Sequence, residues 1–439
     1  MVASVLNMQG HTKDQFFTVV IPTRERCDTL EHALHTCVIQ DYGNLEIIVS
    51  DNFSQDDTKD VVASFRDPRI RYLNTGKRLS MTDNFEFALS HIRPEGYVIY
   101  IGDDDGLLPN AIHAINTVIG QTQTRVMRWD LPTYCWPSMG GRGANQMHIP
   151  ALGPGIHTRV PAATIRNVIA LKADYRILPM LYMNSAIAYE TIKDIKDISG
   201  RFYHSMTPDV YSGFAIAGTV DSYIDSIRPY TIGGCSHHSI GASGLGGSLS
   251  SEANRKYLSE DNLPFHSGLV MCRSLTVLIA ECFLQARDKL PFFRGFTLDM
   301  DKIIIKMMEE AAIKPNDIYA DVSNAVLRIG QLHNIPEVAQ HAIAANPNIG
   351  PGFMRKPTVV NLGRAGLYVA GLFIMDLYKG SFHLDCTPLS VKNIYDAALL
   401  CEHVIRLKDM GGIGCAAVLK SSLGNIKRQL FPAIGTTKH

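Results

Sequence analysis

Over the first hundred residues, short apolar runs alternate with stretches whose apolar positions recur every three or four residues. Phe16–Ile21 is apolar and β-branched and predicts a buried strand. Beyond Pro22, residues Leu30, Ala33, Leu34, Cys37 and Val38 share one helical face, with Asp28 placed to cap and Glu31 at the capping-box position. Leu45–Val49, Ile70–Leu73 and Tyr97–Ile101 predict three further strands, separated by helices at Thr58–Phe65 and Thr82–Ile92. This alternation predicts an α/β fold: a Rossmann-like, mostly parallel sheet flanked by helices on both faces.

The middle of the chain is less regular. Pro137–Pro161 is rich in Gly and Pro and reads as a loop or lid, after which Ala162–Ala188 returns to helix and strand. Gly233–Ser251 reads as a second, mobile Gly/Ser-rich loop. From about His266 the pattern is helical, with helices expected at Leu269–Gln285, Asp299–Ala312, Asp317–Leu332, Pro336–Ala345, Leu362–Tyr378 and Val391–Leu407. The expected division is an α/β catalytic domain over 1–255 and an α-helical C-terminal domain over 256–439, the latter for acceptor binding or oligomerisation.

Composition narrows the class. The 439 residues carry 42 Lys plus Arg against 42 Asp plus Glu, with 46% hydrophobic residues. That balance excludes a disordered chain and argues against a nucleic-acid partner. The segment 1–15 has no basic stretch leading into an apolar one, so no secretory signal is expected. The apolar run Ala365–Met375 falls short of the ~20 residues that span a bilayer. Nine cysteines form no Cys-x-x-Cys pair and read as reduced thiols in the cytoplasm.

Open parallel sheets bind ligands at the carboxyl ends of their strands. Those ends carry Pro22-Thr23-Arg24-Glu25-Arg26, Ser50-Asp51-Asn52 and Gly102-Asp103-Asp104-Asp105. Three consecutive aspartates repel one another unless a cation or solvent offsets them. A divalent metal such as Mg2+ or Mn2+ takes one or two carboxylates plus phosphate oxygens. The plainer alternative is a solvated acidic turn ahead of the helix that begins near Ala111.

Taken together, these motifs resemble family 2 glycosyltransferases. Val19-Val20-Ile21-Pro22-Thr23-Arg24-Glu25-Arg26 looks like the opening strand and turn of that family, and Ile47–Ser54 like its second motif. Gly102–Pro109 looks like its acidic metal-binding motif, shifted by one residue so that Gly102 stands where the first aspartate is usual. Arg24 and Glu25 replace the usual aromatic and Asn, and Ser50 the first Asp of the second motif. The resemblance covers about residues 16–240. It implies a glycosyltransferase A-type fold binding a nucleotide-diphosphate sugar, with Pro22, Thr23, Arg24 and Asp51 at the nucleoside and Asp103 near the ribose. It further implies Asp104 as the metal aspartate, Asp105 beside it, and direct displacement with inversion at the anomeric carbon.

The chemistry then calls for a metal at the departing diphosphate and a base at the acceptor hydroxyl. Lys77 and Arg78 are candidates to add positive charge at the diphosphate. Asp209, after Pro208 at the start of an expected helix, is the candidate base; a plain helix-terminal carboxylate is its alternative. Asp221 and Asp225 are weaker candidates and read as a solvated helix face. His238 is a candidate metal ligand, with His237 beside it; His32 and His35 read as structural. Trp129, Tyr134 and Trp136 read as core, with acceptor stacking as the alternative. The expected partners are a nucleotide-diphosphate sugar and a glycan or lipid-linked glycan acceptor of the bacterial surface-polysaccharide type, with a homo-oligomer through the C-terminal helices. The expected location is the cytoplasm, peripheral to the inner face of the membrane. A nucleotidyltransferase is the alternative enzyme, although the first strand leads into no glycine-rich loop and no P-loop is present. A non-catalytic sugar-binding module on the same fold is the third reading, and the retained aspartates argue against it.

Overall fold

The early apolar runs form strands β1 (Phe17–Thr23), β2 (Leu45–Asp51), β3 (Ile70–Asn74) and β4 (Tyr97–Tyr100), all parallel and ordered β3-β2-β1-β4. The structure is a computed structural model and describes residues 14–153, 155–239, 260, 263–351, 367–369, 373–376 and 381–409. A two-residue strand β5 (Gly106–Leu107) follows the acidic turn. Next come β6 (Val126–Trp129), β7 (Thr133–Cys135), β8 (Gln146–Ile149), β9 (Ile156–Arg159), β10 (Ser185–Ala188), β11 (Tyr223–Ser226) and β12 (Thr231–Cys235). The first sheet extends past β4 through β10, β6, β11 and β9, with β10 running antiparallel to both of its neighbours.

Period-two alternation sorts the strand side chains between two cores. Val19 and Ile21 of β1 face helices α1 (Cys27–Val38) and, later in the chain, α4 (Ala111–Thr122). Val20 faces the opposite way, as do Ile48 and Tyr100. That second face is covered by α3 (Met81–Leu89) and α7 (Pro208–Ala217), with α2 (Thr58–Ser64), α5 (Pro161–Ile169) and α6 (Tyr189–Ser199) completing this half of the chain. Helix α8 (Leu275–Lys289) packs directly on α7, Phe283 meeting Phe214 edge to face with ring centroids 5.6 Å apart. Helices α9 (Met300–Ala311), α10 (Asn316–Leu332) and α11 (Pro336–Ala345) pack on one another behind it.

Several expectations are corrected. Asp28 does not cap α1: the helix begins at Cys27 after Arg26, and Asp28 lies in its first turn. The stretch expected as a loop over 137–161 contains β8 and β9. Within 362–378, where a helix was expected, the described residues form β13 (Leu367–Val369) and β14 (Phe373–Asp376), with β14 pairing antiparallel to both β13 and β15 (Ser381–Asp385). These join β8, β7, β12 and β5 in a second sheet, and α12 (Ile394–Asp409) returns to pack on α1. Asp225 is on no helix face; it is buried on β11. The boundary expected at residue 255, and most of the Gly/Ser stretch that precedes it, lie outside the described residues. No helix among the described residues is long and apolar enough to cross a membrane.

Candidate active site

Parallel register brings the strand ends together: Thr23 of β1 stands opposite Asp51 of β2, which stands opposite Asn74 of β3. The backbone must turn sharply as it leaves these strands. Glu25 (φ 54°) and Phe53 (φ 60°) both adopt the left-handed conformation that side chains resist. The two turns then interlock, the Glu25 amide donating to Ser54 Oγ at 2.8 Å and the Gln55 amide to Glu25 Oε1 at 3.1 Å.

Asp51 is 1% exposed, and its carboxylate accepts from Tyr72 Oη (2.5 Å), Asn74 Nδ2 (2.8 Å) and the Ser54 amide (3.0 Å). Asn52 clamps the next loop, both donating to and accepting from the Leu79 backbone at 2.8 Å. Lys77 and Arg78 are exposed on that loop. Lys77 makes no ion pair among the described residues, whereas Arg78 pairs with Glu260 Oε1 (3.0 Å) and Arg24 with Glu260 Oε2 (2.5 Å). Pro22 is the penultimate residue of β1, half-buried behind them.

The acidic turn after β4 is buried and heavily bonded. Asp103 accepts from Thr23 Oγ1 (2.8 Å) and from the Arg26 guanidinium (3.0 Å). Both Asp105 oxygens are held by backbone amides, of Gly102 (2.6 Å) and Gly234 (2.7 Å). Asp104 Oδ2 accepts from Ser236 Oγ (2.7 Å), Ser239 Oγ (2.6 Å) and the Ser236 amide (3.2 Å), while its carbonyl accepts from Trp136 Nε1 (3.1 Å). Within this triplet the Asp104 Oδ1 atom takes no donor from the described residues. Close approach requires both flanking glycines. A Cβ on Gly102 would stand 2.6 Å from Tyr182 Oη and 2.7 Å from Asp105 Oδ2, and one on Gly234 would strike the Asp104 carbonyl. A side chain at 102 would therefore have to displace Tyr182 or Asp105.

The electrostatics follow from burial. Burial pushes the Asp103 carboxyl above its usual value, with Asp104 adding to the rise and Arg26 opposing it. Asp105 is raised well above, by burial and then by Asp104 beside it. Burial opposes the Arg26 charge, but Asp103 and Asp104 outweigh it, and the guanidinium is held more firmly protonated than usual. Asp209 heads α7 directly after Pro208, and burial raises its carboxyl while the amides of Val210 and its own residue pull the other way. Tyr182 links the two acidic positions: burial pushes its phenol up, and the charges of Asp105, Asp104, Asp103 and Asp209 push it further.

Arg26, Tyr182, Ser236 and Ser239 were not singled out from sequence. Arg26 stood in the quoted turn, but the serines were masked by the Gly/Ser bias around them. His238 was expected beside Asp104 and Asp105; instead its ring turns to Asp28 (Nε2 to Oδ1 3.2 Å) and stacks 3.7 Å from His237. Asp225 is no candidate for chemistry, because Arg128 (2.6 Å) and Arg159 neutralise it. Asp221 is exposed. Trp129, Tyr134 and Trp136 are buried, as core residues.

The arrangement fits a hard divalent cation. Among the described residues three carboxylates face one guanidinium, leaving two negative charges when all are ionised, and Asp104 Oδ1 takes no donor.

Residues 18–165 match the model of "Glycosyl transferase family 2". A GalNAc(5)-diNAcBac-PP-undecaprenol beta-1,3-glucosyltransferase of Campylobacter jejuni is 39% identical over 101 residues, 22% of this chain and 32% of that protein. The uncharacterized protein MT1568 of Mycobacterium tuberculosis is 30% identical over 99 residues, 23% of this chain and 31% of that protein. The chain thus spans about a third of the length of these curated relatives. Among solved structures, S. aureus TarS 1-349 in complex with UDP-GlcNAc superposes with a TM-score of 0.45 at 16% identity, covering 75% of this chain and 92% of that one. The mannosyltransferase PcManGT from Pyrobaculum calidifontis, in complex with GDP-Man and Mn2+, gives a TM-score of 0.37 at 16% identity over 76% and 86%.

Proposed function

We propose that this chain, whose residues 18–165 match the model of glycosyl transferase family 2, transfers a sugar from a nucleotide-diphosphate donor to a hydroxyl acceptor, inverting the anomeric centre. The single observation that carries the reading is the buried acidic turn at the carboxyl edge of parallel strands, with charge in deficit and one aspartate oxygen left free.

In this reading Pro22, Thr23, Arg24 and Asp51 line the nucleoside pocket. Asp51, its carboxylate oriented by three donors, accepts from the base. Asp103, oriented by Thr23 and Arg26, lies at the ribose. Asp104 would hold Mn2+ or Mg2+, and a cation there would supply positive charge to offset that developing on the departing diphosphate. Asp105, with both oxygens on backbone amides, fixes the turn that presents Asp104. Lys77 and Arg78 stand at the donor's diphosphate, with Arg78 sharing Glu260 with Arg24.

Asp209 takes the proton from the acceptor hydroxyl as that oxygen attacks the anomeric carbon, and the bond from that carbon to the diphosphate oxygen breaks. A carboxylate raised by burial is a better proton acceptor than an ordinary one. The Campylobacter relative's name places its acceptor on a polyprenyl diphosphate, which supports a lipid-linked glycan acceptor here and a peripheral position at the membrane. The helices beyond residue 255 are proposed to serve acceptor binding or self-association.

The test is transfer from a panel of nucleotide sugars, with and without Mn2+, in wild type and Asp209→Asn. The expected result is metal-dependent transfer that falls by about 10²- to 10⁴-fold in kcat in the variant, the range for losing a general base. Donor binding should be unchanged. Normal transfer by Asp209→Asn would remove it as the base.

A further inference from the structure

We infer that Asp28, His237 and His238 form a second cation site, selective for a borderline transition metal such as Zn2+ and separate from the oxygen-rich turn at Asp104. Among the described residues these are the three His, Cys, Asp or Glu side chains whose ligand atoms all lie within 4.8 Å of one another.

The distances suit such an ion. Tetrahedral zinc holds nitrogen and oxygen ligands at about 2.0–2.2 Å, which sets neighbouring ligand atoms about 3.3–3.5 Å apart. His238 Nε2 and Asp28 Oδ1 are already 3.2 Å apart. The His237 ring lies 3.7 Å from that of His238, centroid to centroid, and a nitrogen of each ring lies within 4.8 Å of the other and of an Asp28 oxygen. Two imidazoles and one carboxylate are a borderline donor set that suits zinc, cobalt or nickel, whereas Mg2+ and Ca2+ prefer oxygen alone. Three protein ligands at a solvent-facing position leave the fourth place to water or to an incoming ligand.

The site joins elements that otherwise meet through few bonds. Asp28 is in the first turn of α1, and the histidines follow β12. The His238 amide donates to Ser236 Oγ (3.2 Å), which itself donates to Asp104 Oδ2. The His238 carbonyl accepts from Arg26 (2.7 Å), whose other nitrogen bonds Asp103. An ion here fastens the first turn of α1 to the loop whose hydroxyls hold Asp104. Binding is read without donor or acceptor, so the site stands or falls independently of the transferase reading.

The experiment uses the full chain, purified without a polyhistidine tag, stripped with EDTA and titrated with Co2+ in excess Mg2+ while the visible d–d absorption is followed. One equivalent of Co2+ with a tetrahedral band, displaced by Zn2+, is expected in wild type and in Asp104→Asn. Asp28→Ala and His237→Ala should each weaken it by about tenfold or more, at least the cost of disturbing an outer-shell partner. Asp28 and His237 are exposed, so both variants fold. Absence of the band in wild type, or a band that survives in both Asp28→Ala and His237→Ala, overturns the site. So does loss of the band in Asp104→Asn alone.

Discussion

Two buried acidic places in this molecule differ in how their charge is met. On β11, Asp225 is held by Arg128 and Arg159, and Arg128 also bonds Asp130 at 2.6 Å; two acids meet two guanidiniums and the charge closes. On the turn after β4, Asp103, Asp104 and Asp105 share Arg26 alone among the described residues, and amides and hydroxyls take up most of the remaining oxygens. The first arrangement is complete without any partner. The second is a folded-in deficit that a cation and an anionic donor would complete, at some cost to the stability of the free protein. Buried acids are thus read for function by their balance rather than by their number.

Substitution separates the two places most strongly. Asp104→Asn should lower transfer by about three orders of magnitude, since charge stabilisation by a bound metal supplies several kcal/mol. Its urea midpoint should stay near that of wild type. Asp225→Asn should do the reverse, losing about 3 kcal/mol of stability by leaving a buried guanidinium short of a partner, with kcat kept at temperatures where the protein is folded. If Asp225→Asn abolished transfer in a fully folded protein, the contrast would fail.

A smaller effect tests the deficit itself. Asp103 and Asp105 titrate above their usual value in the folded chain. Between the unfolded and folded values the native state binds more protons, so stability contributed by these groups is present at low pH and declines as pH rises through that window. A divalent cation removes the penalty by pairing the charges. The shift in melting temperature on adding Mn2+ to EDTA-treated protein should therefore be larger at pH 8 than at pH 5. Equal shifts at both would mean that the triplet is not where the ion acts.

Much of the parallel half was legible because its signals are local. Period-two runs, helical faces and turn residues lie within a few positions of one another, and the strand ends follow from the topology. What escaped was non-local. Arg128 and Asp225 are 97 residues apart, and neither signals the other in sequence. Ser236 and Ser239 reach Asp104 across more than a hundred residues, from a stretch whose glycines and serines suggested only a loop. Of the C-terminal strands, β15 pairs with β8 over an even longer span, whereas β13 and β14 pair locally in a short apolar run whose periodicity was equally consistent with a helix. His238 was read as a metal ligand from its place on the Gly/Ser-rich loop, but its ring bonds Asp28 in the first turn of α1.

The donor side offers the finest test of the contrast. There the protein does supply the balancing charge: Glu260 bridges Arg24 and Arg78, each partly exposed. In the proposed binding mode the donor would have to replace that carboxylate to use both guanidiniums, Arg24 at the nucleoside and Arg78 at the diphosphate, whereas a cation at Asp104 displaces none of the bonds described. Glu260→Gln should therefore lower the KM for donor by about two- to fivefold, the scale of a partly exposed ion pair, with kcat unchanged. A raised KM would mean that Glu260 orders the two arginines for the donor rather than competing with it, and the donor side would then resemble the closed arrangement on β11.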